Sequence, residues 1–206
     1  MVQESQKVTV FLDATPNLLK HPVGKIMLRK TLAQSMHENI DSNIDKIVDR
    51  YAFLPALTVH YGEYCKLLSQ ARDLFVWGYF YSCVTMCGIV AERIVKDIFS
   101  RNLLVVAGAK ITTPNQKAKK DLESFGAKEV CEFLIDSGVL NENLWSPLKS
   151  LGELRNKYAH AGGKKPEEDA RKSIKHLHSI VDGTVSVFRE FAVRHGKLVR
   201  KKPKTA

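Results

Sequence analysis

Arg155, Asn156 and His160 stand close together in the run Leu154-Arg155-Asn156-Lys157-Tyr158-Ala159-His160. A guanidinium is a permanent cation whose planar fork binds two phosphate oxygens at once, and an imidazole takes and gives a proton near neutral pH. An amide between them can orient either group. The combination suits chemistry on a phosphate. Arg155 and His160 are five positions apart, about 140° around an ideal helix of ~3.6 residues per turn, so an unbroken helix would aim them apart. The Ala161-Gly162-Gly163 that follows predicts that the helix stops at or just after Tyr158 and that the chain turns there.

This run resembles the signature of HEPN domains, the higher-eukaryote and prokaryote nucleotide-binding superfamily, in which an Arg, often followed by Asn, Asp or His, precedes a His by four to six residues. Arg155, Asn156 and His160 match it. The likeness covers 61–194, with 79–99 resembling the second core helix and 130–140 the third, and is nearest to HEPN-like families of bacterial defence and restriction neighbourhoods. It implies an all-α, antiparallel helical bundle that works as a homodimer. It further implies a metal-independent endoribonuclease in which the RNA's own 2′-hydroxyl attacks the neighbouring phosphorus. In such a mechanism His160 is the general base or acid, Arg155 binds the phosphoryl oxygens as charge builds, and Asn156 orients the histidine or the phosphate. The products carry 2′,3′-cyclic phosphate and 5′-hydroxyl ends, and neither metal nor cofactor is implied.

Several active members of the superfamily add an acidic residue from the second core helix, and Glu92 in Ala91-Glu92-Arg93 holds a comparable place. The plainer role for Glu92 is a surface partner for Lys96 one turn on. The resemblance also implies a toxin or effector of a defence system, with an antidote or sensor protein as partner. One departure bears on that. In the toxin branch silenced by nucleotidyl transfer the motif continues as His, any residue, Tyr, whereas Ala161 and Gly162 follow here. No tyrosine is offered to such an antidote, and Tyr158 is expected to pack. Without catalysis, the same pocket would serve a nucleotide- or RNA-binding or partner-recruiting module. Taken singly, Arg155 would pair with Glu153 and His160 would cap a helix end.

The net charge of +10 favours polyanionic partners such as RNA. Arg194, Lys197, Arg200, Lys201, Lys202 and Lys204 supply much of it, with no acid beyond Phe191. Residues 196–206 therefore read as a basic, disordered tail whose positives, with Lys157, would contact phosphates without reading sequence. No helix-turn-helix spacing with a basic recognition helix supports a DNA-binding regulator. Cys65, Cys83, Cys87 and Cys131 lack the paired spacing of a zinc site, and no signal-peptide pattern opens the chain, so a reduced, cytoplasmic protein is expected. Cys83 and Cys87, one turn apart, are expected to be packing residues. The stretch 74–91 carries no charge and touches the lower length limit of a membrane span. Its Gly, Ser, Thr and Tyr content and its charged flanks favour a buried helix of a bundle.

Residues 1–56 read as an N-terminal extension with one candidate strand at 7–13 and two modest helices at 25–36 and 41–51, the second capped by Asp41 or Ser42. The bundle is expected over 57–195. Its first helix, 58–75, lines up Tyr61, Tyr64, Leu67, Leu68, Ala71 and Phe75. The next recurs at threes and fours through Phe80, Val84, Cys87, Ala91, Ile94 and Ile98 and is expected to be central. An exposed loop at 108–120 precedes helices at 122–136 and 144–158. Pro166 and the acids after it open the last helix, which buries Ile174, Leu177, Val181, Val185 and Phe188.

Overall fold

The computed structural model describes residues 22–55, 64–107, 110–113, 115–117, 124–184, 191–194 and 197–200. The strand expected at 7–13 lies outside them, as do Tyr61, Val185, Phe188, Lys201 and Lys202. The chain forms six α-helices among the described residues, the all-α bundle that the periodicity predicts. It divides into two compact units, Met1–Lys46 and Ile47–Ala206.

Helix α1 (Pro22–Phe53) is a single helix of 32 residues where two were expected. Between the expected pair, His37-Glu38-Asn39-Ile40 holds neither Gly nor Pro. The polar side chains that suggested a new start instead bond back along the same helix. Ser42 Oγ donates to the Asn39 carbonyl at 3.1 Å and Asn43 Nδ2 to the same carbonyl at 3.0 Å, so Ser42 is a mid-helix residue rather than a cap. The unit boundary also falls earlier than the expected position 56. Arg50 stacks over the Phe80 ring at 4.9 Å and donates to the Val76 carbonyl, while Phe53 packs on Phe75 with centroids 5.4 Å apart. The last turns of α1 thus belong to the bundle.

Helix α2 (Tyr64–Val76) buries Tyr64, Leu68, Ala71 and Phe75, four of the positions picked out by period, and Leu67 is half-buried. Helix α3 (Phe80–Asn102) is the hub. It packs against α2 and against three later helices, α4 (Ala127–Asp136), α5 (Trp145–Ala159) and α6 (Pro166–Thr184). That contact on several sides is why its first half, 80–91, carries no charge. Cys83 and Cys87 are wholly buried, as packing residues should be. No helix among the described residues is long and apolar enough to cross a membrane. Each fully buried aliphatic side chain of α3 and α6, such as Ile94, Ile174 or Leu177, contributes about 1.5–3 kcal/mol relative to exposure.

The core has two lobes joined by α3. The larger collects α2, α5, α6 and most of α3. The smaller sets Val95 and Phe99 of α3 against Val130, Cys131 and Leu134 of α4, with Leu140 and Leu144. A short 3-10 turn, Glu142–Leu144, leads into α5, and Asn141 caps it by accepting from the Asn143 N–H.

Three helices end in the same way. In α2, α4 and α5 the second residue past the end is left-handed, at Gly78 (φ +81), Gly138 (φ +71) and Ala161 (φ 55). The pair of backbone bonds is the same each time. Tyr79 N donates to Leu74 O, Val139 N to Leu134 O and Gly162 N to Lys157 O, each accompanied by the shorter bond from the left-handed residue. This is the Schellman closure, and only α5 builds it on a residue with a Cβ.

Two antiparallel hairpins accompany the helices. Strands β1 (Val105–Ala107) and β2 (Lys110–Thr112) fall partly in the stretch expected to be loop, where the β-branched Val105, Val106, Ile111 and Thr112 favour extended backbone. Strands β3 (Phe191–Arg194) and β4 (Lys197–Arg200) pair with Arg194 opposite Lys197. The basic end was expected to lack structure from 196 onward. Phe-Ala-Val-Arg and Lys-Leu-Val-Arg hold enough strand-favouring residues to pair across two intervening positions.

At α6, Pro166 with Glu167, Glu168 and Asp169 forms the first turn, as the dipole argument predicts. Its two histidines diverge, with His176 half-buried and His178 buried. Nε2 of His178 lies 2.9 Å from Arg72 Nη1. Because arginine only donates, that nitrogen accepts and the ring is neutral. Burial first, and the Arg72 charge second, push its pKa down to about 4.

Candidate functional site

The site forms where α5 crosses α3. A Cβ on Gly88 would lie 2.6 Å from the Cβ of Arg155, closer than real atoms approach. The glycine is therefore what lets Arg155 lie against α3. From there its guanidinium reaches Glu92, one turn further along α3, and Nη1 donates to Oε2. Glu153, the neighbour that sequence offered as a partner, pairs with Lys149 at 4.0 Å instead. The other carboxylate oxygen of Glu92 receives Lys96 Nζ at 2.9 Å. Glu92 thus meets Lys96, the surface partner one turn on, and Arg155 as well. Burial alone would raise the Glu92 pKa, but Lys96 and Arg155 outweigh that, and the net shift is downward.

Arg155, Asn156 and Glu92 line one cleft of about 280 Å³. Its walls come from α3, α4 and α5. Trp145, Leu148 and Gly152 of α5, with Ala127 and Cys131 of α4, make an apolar side. Burial raises the Cys131 thiol to about 11, with Glu132 adding to the effect, so it stays protonated and inert near neutral pH. Trp145 and Lys149 belong to no motif in the sequence. The signal was there, because 145, 148, 149, 152, 155 and 156 share one face of a helix.

His160 stands apart from this group. Helix α5 ends at Ala159, and His160 is the cap residue, exposed, with its backbone N–H donating to the Asn156 carbonyl at 3.2 Å. The expected helix end is therefore where the sequence placed it, within a residue. Because that bond still joins positions four apart, His160 keeps its helical place and the chain turns only at Ala161, so the histidine is not brought round to Arg155 and is not among the residues that line the cleft.

A clasp on the other side of α5 fixes the turn that carries His160. Tyr158 is buried, and its hydroxyl donates to Asp169 Oδ2 at 2.7 Å. Lys157 Nζ approaches the same oxygen at 3.1 Å, so this lysine, foreseen as a phosphate contact, already has an anionic partner. Gly163 lies so close to the Tyr158 ring that a Cβ there would come within 2.3 Å of it. The Tyr81 hydroxyl donates to the Gly163 carbonyl at 2.7 Å, and the two tyrosine rings meet edge to face at 4.8 Å. Desolvation, followed by the Asp169 hydrogen bond, pushes the Tyr158 pKa far up. Burial opposes ionisation of Asp169, yet Tyr158 and Lys157 leave its pKa below the ordinary value. Tyr158 packs, as expected. Asp169 was foreseen only as a helix-dipole acid, because its partners come from another helix.

Of the remaining basic positions, Arg194, Lys197 and Arg200 fall on the β3–β4 hairpin. Among the described residues, no group of three or more His, Cys, Asp and Glu is placed to hold a metal ion. Set against protein-family models, curated proteins and solved structures, the chain matches none.

Proposed function

We propose that the chain is a HEPN-type, metal-independent endoribonuclease, with RNA bound along α5 and His160 exchanging protons with the ribose or the leaving oxygen. The observation that carries this is the meeting of Glu92 and Arg155 from separate helices beside Asn156. A guanidinium anchored on one N–H by a carboxylate keeps its other donors for a phosphate, in a fixed direction. Within this reading the protein acts in the cytoplasm as a toxin or effector of a defence system, held in check by an antidote or sensor. It pairs as a homodimer with the two Arg155-to-His160 segments at a common surface.

The test is cleavage of single-stranded RNA in the presence of a chelator, by purified protein or protein freed from its inhibitor. His160→Ala and Arg155→Ala should each lower the rate by ~10²- to 10⁴-fold with the fold intact. Sugars with 2′-deoxy or 2′-methoxy groups at the cleavage site should resist. A magnesium requirement, 3′-hydroxyl ends, or full activity in His160→Ala would refute the mechanism. The position of His160 outside the cleft lining favours one second reading, a module that binds RNA or nucleotide through Arg155 without cutting it. RNA binding that is lost in Arg155→Ala, with no cleavage under any condition, would decide for that module.

A further inference from the structure

The two ends of the cleft differ in chemistry. One end holds the indole of Trp145 beside Leu148, and the other holds the anchored guanidinium of Arg155. Ten residues of α5 separate their backbones, about 15 Å along the axis at ~1.5 Å per residue, and the Arg155 side chain, reaching from beside Gly88 to Glu92 and so toward the Trp145 end, closes about one turn of that span. Between them Gly152 leaves the floor clear, since a Cβ there would meet nothing within 4 Å. The facing wall is built from small side chains, Ala91, Ala127 and Cys131. Two more cations stand at the lining, Lys128 and Lys149, with side chains 66% and 56% exposed. Their carboxylate neighbours are 3.9 and 4.0 Å away, at the limit of an ion pair, so both remain able to meet an anion. The volume of about 280 Å³ suits one small ligand rather than a helix or a duplex.

We infer that the cleft takes a single nucleobase stacked on Trp145 with its phosphate directed to Arg155, which makes Trp145 the residue that selects what is bound. A flat aromatic ring joined to an anion is the chemistry that satisfies both ends at once. An aliphatic phosphate would leave the indole uncovered, and an uncharged ring would leave the cations unanswered. The inference rests on the reading of this cleft as the RNA-handling site and adds how the RNA is held.

The chain has two tryptophans, so Trp77→Phe leaves Trp145 as the only indole reporter. In that background, AMP, UMP and a trinucleotide RNA should quench the emission saturably. Ribose 5-phosphate and inorganic phosphate should not. Trp145→Ala should weaken nucleotide binding about 5- to 100-fold, and Trp145→Phe should stay within a few-fold of the parent. Because Trp145 also packs against the smaller lobe, the quenching measurement, which leaves position 145 intact, stands even if Trp145→Ala fails to fold. A monophosphate that binds as tightly as the trinucleotide identifies a free nucleotide as the ligand. Tighter binding of the trinucleotide identifies an RNA residue. Equal quenching by the base-free probes, or unchanged affinity in folded Trp145→Ala, overturns the inference. RNA cleavage that needs Arg155 and His160 but not Trp145 would leave the nuclease reading and remove this one. Trp145-dependent binding without any cleavage would do the reverse.

Discussion

Gly88 and Gly152 both line the cleft but in opposite circumstances, and this sets up a paired test. Both sit inside helices, where Gly→Ala is worth up to about 1 kcal/mol through backbone entropy. At Gly152 the new methyl meets nothing within 4 Å, so Gly152→Ala should collect that gain in full. At Gly88 the methyl would lie 2.6 Å from the Arg155 Cβ and 3.1 Å from its Cγ and Cδ. The nearest atom is bound to the backbone and cannot swing away, so α5 itself must shift, an overpacking cost of about 1–3 kcal/mol. Gly88→Ala should therefore come out neutral to about 2 kcal/mol less stable than the parent. Gly152→Ala should be up to about 1 kcal/mol more stable, a separation of roughly 1–3 kcal/mol. Urea unfolding followed by circular dichroism reads both, and a thermal scan should separate the two midpoints by several degrees, at about 2–4 °C per kcal/mol for a chain of this size. The shift in α5 should also displace Arg155 from Glu92, so Gly88→Ala should lose RNA or nucleotide affinity that Gly152→Ala retains. Equal stabilisation by both substitutions would falsify the close crossing of α3 and α5, and with it the geometry of the site.

Ala161→Gly should stabilise the protein by about 0.5–1 kcal/mol, because Ala161 alone among the three Schellman closures carries a Cβ in a left-handed conformation; an unchanged or lowered midpoint in urea would contradict this. Folding stability should fall as pH drops from about 6.5 to about 4, since the pKa of His178 is about 4 in the folded protein against 6.5 for a free histidine. The sign follows from the unfolded chain binding the proton first, so the full contribution is present above pH 6.5 and about 2–3 kcal/mol is lost on the way down. A flat urea midpoint across that range, or the same slope in His178→Gln, would count against it. Tyr158→Phe removes the hydroxyl that donates to Asp169 and should cost about 1.5–3 kcal/mol, as for a hydrogen bond to a charged group. If the midpoint stays where it was, the clasp does not hold the turn.

The helices that pack most fully were the easiest to read. In α2, α3 and α6 the apolar positions recur at threes and fours, and Tyr64, Val84, Ile94 and Leu177 are buried as that period requires. The end of α5 was legible for the same local reason, a small-residue run after a helical stretch. What failed were choices set by competition. Ser42 looks like a cap but bonds back within a helix that nothing interrupts, and the short hairpins arise in segments whose composition resembles loop. The candidate site was half legible. Glu92, Arg155 and Asn156 do gather at one cleft, whereas Gly88, Trp145 and Asp169 matter through contacts between residues far apart in sequence, which no local spacing encodes. His160 was placed on the right turn, but its distance from the cleft depends on where the Schellman closure points the chain.

The two-lobed core gives the helices unequal shares in the cooperativity of the molecule. Helix α3 belongs to both lobes, so its amides can exchange with solvent only when the whole bundle unfolds. Helix α4 is tied through the smaller lobe alone, and a partial opening that frees it would leave the contacts of α2, α5 and α6 in place. That makes α4 a separate opening unit, detectable as a block of amides that exchange together at a lower free energy than those of α3. Since Ala127 and Cys131 of α4 form one side of the cleft, the same opening would take that side of the cleft apart. A bound molecule would in turn slow exchange along α4 before it slowed exchange anywhere else.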